Sequence, residues 1–366
     1  MSESPNNHHR VYLDIPLLIL IILLMSVSLT VLYSMGGLDV MLNQAVRFGV
    51  GTVVMLVVLL IPKNFIRFFT PSFYVLTVVL LIAVHFFGVT INNSQRWLNI
   101  GITQIQPSEI AKISIPLMLA YYYYAKPLPP KLKDIGISLL IIMIPTLLVL
   151  KQPDLGTAIL VATSGFVLLF FAGIPWRLIF ASIIALIIAA PIYWMKGMEA
   201  YQKKRVLTVF NPELDPTGNG YNIIQSKIAI GSGGFEGKGF MQGVQSKEFL
   251  PENTTDFIFA AFSEEFGLLG IMLLFSLYFV ILLRSFWLSL KMTDNFSRLL
   301  SGALIFTFFI YFFINVGMVI GILPVVGLPL PFISYGGTSI LTLMLGFGFI
   351  MNLYANREIK KKTEQW

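Results

Sequence analysis

The chain of 366 residues has no cysteine, only three histidines, and few charges, with Asp, Glu, Lys and Arg making up 12% of it. Without cysteine there is no disulfide framework and no thiolate metal site. Two of the histidines, His8 and His9, stand side by side in the polar head, which leaves zinc chemistry short of ligands. The scarcity of charge accompanies 56% hydrophobic residues and a mean hydropathy of +0.81, far outside the soluble globular range. These values imply an integral membrane protein. The formal net charge of +7 could suit nucleic acid, but the basic residues lie mainly in short connections between apolar runs, where membrane topology puts them. Nucleic-acid binding is therefore not expected. The first ten residues lack the apolar core of a cleavable signal, so the first hydrophobic run is expected to remain as a helix.

A bilayer core of about 30 Å needs roughly 20 helical residues. Ten apolar runs meet that length, near residues 13–35, 41–61, 72–90, 107–124, 133–150, 155–173, 175–194, 257–284, 297–323 and 336–355. The expected fold class is an all-α integral membrane protein, a single polytopic domain over 1–366. Ten spans leave both termini on one side. With the head (1–12) and the basic tail (356–366) in the cytoplasm, Lys63, Arg67, Lys126, Lys131, Lys133, Arg177, Arg284, Lys291, Arg298, Arg357 and Lys360 to Lys362 all fall inside. The opposite short connections offer only Arg96 and Lys151, the asymmetry that the positive-inside rule requires.

The one long connection, 195–256, falls outside, between the seventh and eighth runs. Within it, YNIIQSKIAIGSGG mixes isoleucines and polar residues at near-helical spacing, which predicts a short interfacial helix ending at glycine. The glycines of GSGGFEGKGF lack both the dinucleotide spacing and the P-loop distance to Gly237-Lys238, so nucleotide binding is rejected.

Several polar residues stand where lipid should be: Arg47 in the second run, Glu109 and Lys112 in the fourth, and Asp256, Glu264 and Glu265 in or beside the eighth. Such residues usually face a cavity or one another. Glu109 and Lys112, three apart, can pair on one helix face, as a structural bridge or as the lining of a groove. Asp256 precedes FIFAAF, where its carboxylate either caps the helix or meets a polar substrate at the outer mouth. Glu264 stands roughly 80° round the helix from it and Glu265 on the opposite side, so the three carboxylates form no single cluster. The two glutamates are expected to find partners on neighbouring helices. Arg96 and Trp97 fall at the outer interface, where tryptophan anchors at headgroup level, and Asp154 in KQPDLGTA is a cap or a cavity carboxylate. PVVGLPLPFISYGG, 324–337, has too much proline and glycine for regular helix, and such backbone at membrane depth must be buried in protein or line a cavity.

The stretch NVGMVIGILPVVGLPLPFISYGGTS, 315–339, resembles the signature of the SEDS family of bacterial shape, elongation, division and sporulation proteins. Asn315, Gly321, Pro324, Gly327, Ser334, Gly336 and Gly337 stand at its spacing. RWLNIG, QPSEIAK, QPDLGT, GYNIIQSKIAIGSGG and FLPENTTDFIFAAFSEEFG extend the resemblance over nearly the whole chain. The short head and the LDIPLLIL entry look most like the elongation branch, with the division branch the near competitor. The resemblance implies a peptidoglycan glycosyltransferase that polymerises lipid II on the outer face of the cytoplasmic membrane by an inverting displacement. Asp256 matches the family's essential aspartate and is expected to act as general base. Arg47, Arg96, Trp97, Glu109, Lys112, Asp154 and Arg205 are the expected substrate-binding residues, the cations among them stabilising the departing diphosphate. No cofactor is assigned, and a magnesium or manganese ion at the diphosphate is left open. The implied partners are lipid II and the growing glycan strand, a class B penicillin-binding protein, and other elongation-complex proteins. Two other functions fit the same residues. A lipid II flippase would use intramembrane charges and broken helices on both sides of the bilayer, and a scaffold would use neither.

Overall fold

The structure, a computed structural model, describes residues 12–91, 94–99, 101, 104–152, 154–215 and 218–357. Most of the polar head, Pro153, and the tail with Lys360 to Lys362 lie outside the described residues. Twelve α-helices follow in chain order among the described residues. They are α1 (Ile15–Leu60), α2 (Lys63–Phe87), α3 (Pro107–Tyr123), α4 (Leu132–Leu150), α5 (Leu155–Phe171), α6 (Trp176–Ile192), α7 (Ala200–Phe210), α8 (Asn219–Gly233), α9 (Gln245–Glu248), α10 (Ile258–Leu290), α11 (Asn295–Val319) and α12 (Thr338–Ala355). Seven of these segments, with a π-helical turn extending α6 to Gly197, are long and apolar enough to cross a membrane.

Where the helices begin follows from local chemistry. Asp14 caps α1, its Oδ1 accepting the Leu17 N–H at 3.0 Å, and Pro16 sits in the first turn where no N–H is needed. Two predicted runs, 13–35 and 41–61, both lie in α1. The expected connection at 36–40 shrinks to a break at Gly37, whose φ of 75° and ψ of −170° interrupt an otherwise unbroken ladder. The helix expected from residue 72 starts at Lys63 and runs through Pro71. That expected at 297–323 ends at Val319, and the non-helical stretch from 324 on is found as expected.

The all-α reading needs one correction. The connection after α2 folds into a small antiparallel sheet, β1 (Val89–Ile91), β2 (Ser94–Asn99) and β3 (Gln104–Ile105), in that spatial order. Trp97 stands opposite Val89, and Asn99 opposite Gln104. Strands of two to six residues carry too few alternations for a period to show in the sequence.

The core runs through α1, α3, α5, α10, α11 and α12, with Leu17, Ile21, Ala111, Val161, Ile258, Phe296 and Ile350 fully or almost fully enclosed. Asn352 of α12 donates to the carbonyls of Val58 at 2.8 Å and Ile61 at 2.7 Å, closing the unsatisfied end of α1 where water would otherwise be needed. By contrast, α6 has no buried residue at all.

The glycine-rich segment after α8 has a structural task. At Gly267, φ 60° and ψ −162° break α10 and orphan backbone groups on both sides. The 234–239 segment supplies their partners: Leu268 N–H donates to Gly234 O at 3.0 Å and Leu269 N–H to Phe235 O at 3.1 Å. In return Lys238 and Gly239 N–H donate to Glu264 O and Glu265 O, each at 3.0 Å. A Cβ on Gly267 would stand 2.3 Å from Gly237 N, so backbone meets backbone here without room for a side chain.

Candidate functional site around Asp256

The segment between α11 and α12, residues 320–337, carries the prolines and glycines noted above and is tied down group by group. Ser28 donates to Ile333 O at 2.7 Å, Tyr278 to Pro331 O at 2.5 Å, and Gln44 to Ser334 O at 3.0 Å while accepting from Gly336 N–H at 3.3 Å. Irregular backbone at this depth survives because protein groups replace the water it lacks.

The same segment is sewn to the residues that precede α10. Tyr335 N–H donates to Thr254 O at 2.8 Å, and Ser334 Oγ donates to Thr255 O at 2.6 Å while accepting the Leu330 N–H at 2.7 Å. Asn315 Nδ2 donates to Asp256 O at 2.9 Å and to Leu328 O at 2.6 Å. The backbone of Asp256 is thus held from α11, and that of Thr254 and Thr255 just before it from Ser334 and Tyr335. The Asp256 carboxylate is left for other use. The cap position of α10 is Phe257, with no side-chain cap bond, so the capping role open to Asp256 in the sequence is not taken up. Gly327, at φ 71°, passes close by, and a Cβ there would stand 3.4 Å from Asp256 Oδ2. Burial first and the nearby Glu252 charge second push the Asp256 carboxyl up to about 6 against the opposing pull of Arg205. A carboxylate with a pKa near the working pH is suited to proton transfer.

Four other expected residues form two groups beside this centre. Asp154 caps α5 through Thr157 N–H at 3.0 Å, the first of the two roles left open for it, and also meets Arg96 Nη1 of β2 at 3.2 Å. Two residues on, Gly156 packs against Val326 of the irregular segment. Glu109 and Lys112 pair at 2.5 Å across one turn of α3, as their spacing predicts. Tyr311 of α11 joins them, donating to Glu109 Oε2 at 3.0 Å and contacting Lys112 Nζ. Asp154 lies within electrostatic reach of the Tyr311 hydroxyl. Tyr311 is one helical turn from Asn315, so this buried triad and the Asp256 anchor share a helix. The cavity beside Lys112 and Tyr311 measures about 30 Å³, room for about one water and no substrate.

Arg47 stands on the far side of the irregular segment, its guanidinium 4.0 Å from the Tyr335 ring centre. Arg205, on α7, reaches Asp256 electrostatically. Trp97 is not drawn into these groups; it sits half-buried in β2 opposite Val89.

Glu264 and Glu265 serve the long connection that precedes α10, not neighbouring helices alone as expected. Glu264, fully buried, pairs with Lys238 at 2.5 Å and accepts the N–H groups of Val244, Gln245 and Ser246 at 3.1, 3.0 and 2.7 Å. Glu265 meets Ser34 of α1 and lies 4.0 Å from Lys247. The connection folds back onto the start of α10, bringing residues about twenty positions upstream to a helix whose depth suggested only other helices. Sequence reasoning also missed Tyr311, Gln44 and Lys227, whose ammonium would be 2.8 Å from a Cβ on Gly321. For Lys227 a signal existed, a lysine within GYNIIQSKIAIGSGG; a tyrosine in an apolar helix gives none.

A nearly all-helical, multi-pass membrane protein with a tethered aspartate beneath an irregular, proline-rich segment defines the class. The chain belongs to the SEDS family: the model of the family described as "Cell cycle protein" (FtsW, RodA, SpoVE) matches residues 9–359. It is 45% identical over 369 aligned positions to the peptidoglycan glycosyltransferase MrdB of Escherichia coli K12, covering 99% of this chain and 100% of that one. Among solved structures it resembles a chain from a peptidoglycan synthase complex that coordinates polymerization and crosslinking, with a TM-score of 0.83 and 30% identity over 93% of this chain and 97% of that one. It also resembles the rod shape determining protein RodA of Thermus thermophilus, with a TM-score of 0.72 and 26% identity over 94% and 97% of the two chains.

Proposed function

We propose that this chain is a peptidoglycan glycosyltransferase of the elongation branch, polymerising lipid II on the outer face of the cytoplasmic membrane, with Asp256 as general base. The observation that carries the reading is the state of Asp256. Its backbone is fixed by Asn315, its carboxylate caps nothing, and its pKa is pushed up to about 6. The 4-hydroxyl oxygen of the acceptor sugar bonds to the anomeric carbon of the donor as its proton passes to Asp256. The bond from that carbon to the lipid diphosphate breaks, and its electron pair leaves with the diphosphate. One such displacement converts an α-linked donor into a β-linkage.

Arg205, Arg47 and Arg96 are the cations proposed to balance the diphosphate, with Asp154 holding Arg96 in place; Lys112, enclosed with Glu109 beside a space too small for substrate, is proposed to act on it only at a distance. Trp97 is proposed to contact the lipid-linked substrate at the rim. A magnesium or manganese ion would be held chiefly by the substrate's phosphates, since among the described residues no three His, Cys, Asp or Glu side chains gather. No step is routed through it.

The proposed topology has ten spans, counting α1 as two helices joined at Gly37 and adding α3 and α5 to the longer ones. Both termini are then cytoplasmic, and 195–256 is an outer connection within one membrane domain. A class B penicillin-binding protein is the proposed partner; the likeness to a chain of a peptidoglycan synthase complex supports it. Polymerisation of purified lipid II, with the partner's transpeptidase inactivated, tests the reading. Glycan strands from wild type and none from Asp256→Asn or Asp256→Ala are expected. Equal strands from all three would remove Asp256 as base, and lipid movement without polymer would make the protein a flippase.

A further inference from the structure

At the end of the bundle away from Asp256, three cations and three aromatic rings gather from separate elements. On α10, Trp287 lies between Arg284, whose guanidinium carbon is 4.3 Å from its ring centre, and Lys291, whose ammonium is 3.3 Å from it. Tyr354 of α12 is 6.3 Å from Trp287, ring centre to ring centre, and carries Arg357 at 3.8 Å. Tyr12, ahead of α1, completes the row at 5.3 Å from Tyr354. Two of the rings are open, Tyr12 at 42% and Trp287 at 40% exposed, while Tyr354 between them is buried and anchors the row to the core.

The charges on this patch do not cancel. Asp14 neutralises Arg284 through two bonds, Nε to Oδ1 at 3.0 Å and Nη2 to Oδ2 at 2.7 Å. Among the described residues no carboxylate pairs with Lys291 or Arg357. Each instead rests on an aromatic face; Arg357 Nη1 also donates to Tyr354 O at 2.7 Å, and the remaining N–H donors of both cations are left to turn outward. Two such cations, one just past the end of α10 and one just past the end of α12, suit a phosphodiester whose acyl chains lie along those helices.

We propose that Lys291 and Arg357, seated on Trp287 and Tyr354, form a binding site for the headgroup phosphate of an anionic phospholipid. The site differs from the Asp256 centre in position and ligand: the part of α10 that follows the break at Gly267, up to Leu290, alone rises roughly 35 Å between them.

Native mass spectrometry of the detergent-purified protein, titrated with phosphatidylglycerol or phosphatidylcholine, tests the proposal. A first phosphatidylglycerol is expected to bind at least tenfold more tightly than phosphatidylcholine. Lys291→Ala with Arg357→Ala should weaken it about 30-fold, roughly fivefold per cation. Lys131→Ala with Lys133→Ala removes two exposed lysines at the start of α4 and should change it less than twofold. Equal weakening by both double variants would mean generic surface charge and overturn the site. So would equal binding of the two lipids, or displacement of the lipid by inorganic phosphate at millimolar concentration. Trp287→Leu, which keeps the charges, is expected to lose part of the preference, and full retention would also count against the site.

Discussion

Replacing Asp256 by asparagine separates the roles a carboxylate can play at the start of α10. Because the Asp256 side chain makes no cap bond and its backbone is held by Asn315, asparagine should keep the fold. It should even gain stability. Burial and Glu252 raise the carboxyl from 3.8 to about 6 in the folded protein, a shift worth about 3 kcal/mol at most. A carboxyl whose folded pKa lies above its unfolded value contributes stability below the unfolded pKa, and that contribution is lost as pH rises through the folded one. The charged form therefore costs stability above about pH 6, and the neutral amide avoids the cost; with the side chain partly exposed, about 1–2 kcal/mol is the expected gain. Activity should move the other way, falling about 10²- to 10⁴-fold for loss of a general base. In the wild type the polymerisation rate should rise with pH to a plateau above about 7, falling to about a tenth of it at pH 5, as expected for a single base with a pKa near 6. The assays are initial rates of lipid II consumption across pH 5 to 8 and thermal unfolding of both proteins at pH 7.5. A rate flat across that range, or an Asn variant retaining more than a tenth of the activity, would refute the argument.

Three further outcomes follow from geometry. Gly267→Ala should destabilise by at least about 2 kcal/mol, since φ is 60° and the new Cβ meets Gly237 N at 2.3 Å; a thermal melt unchanged within 1 °C would contradict this. Glu109→Gln alone should cost about 3–5 kcal/mol by leaving Lys112 charged and unpaired, whereas Glu109→Gln with Lys112→Met should recover most of it, as read from a double-mutant cycle in thermal unfolding. Asp154→Asn keeps a cap and loses the Arg96 pair, while Asp154→Ala loses both, so the alanine variant should melt lower by an amount equivalent to about 1 kcal/mol.

The sequence makes legible whatever depends on run length or short spacing. Apolar runs locate the helices, three-residue spacing pairs Glu109 with Lys112, and proline density marks 324–337 as irregular. What escaped depends on contacts between distant residues. Asn315 fixes Asp256 from 59 positions away, and the signature contained it without saying what its amide holds. The partners of Glu264 lie only 18 to 26 residues upstream, yet depth in the bilayer argued for other helices, because a chain that returns to the helix it precedes leaves no periodic trace. The left-handed conformation of Gly267 was equally hidden, since a glycine in an apolar run reads as continuing helix. Trp97 stood out by its type and neighbours, but the sheet that holds it was too short to register.

The exchange of hydrogen bonds between 234–239 and α10 sets where this protein can be cut and rejoined. A chimera that takes the long connection before α10 from a relative and ends it at the visible start of α10 would separate donors from acceptors that were matched within one chain. Grafts should instead run from α8 through Leu269, so that the broken helix travels with the strand of glycines that repairs it.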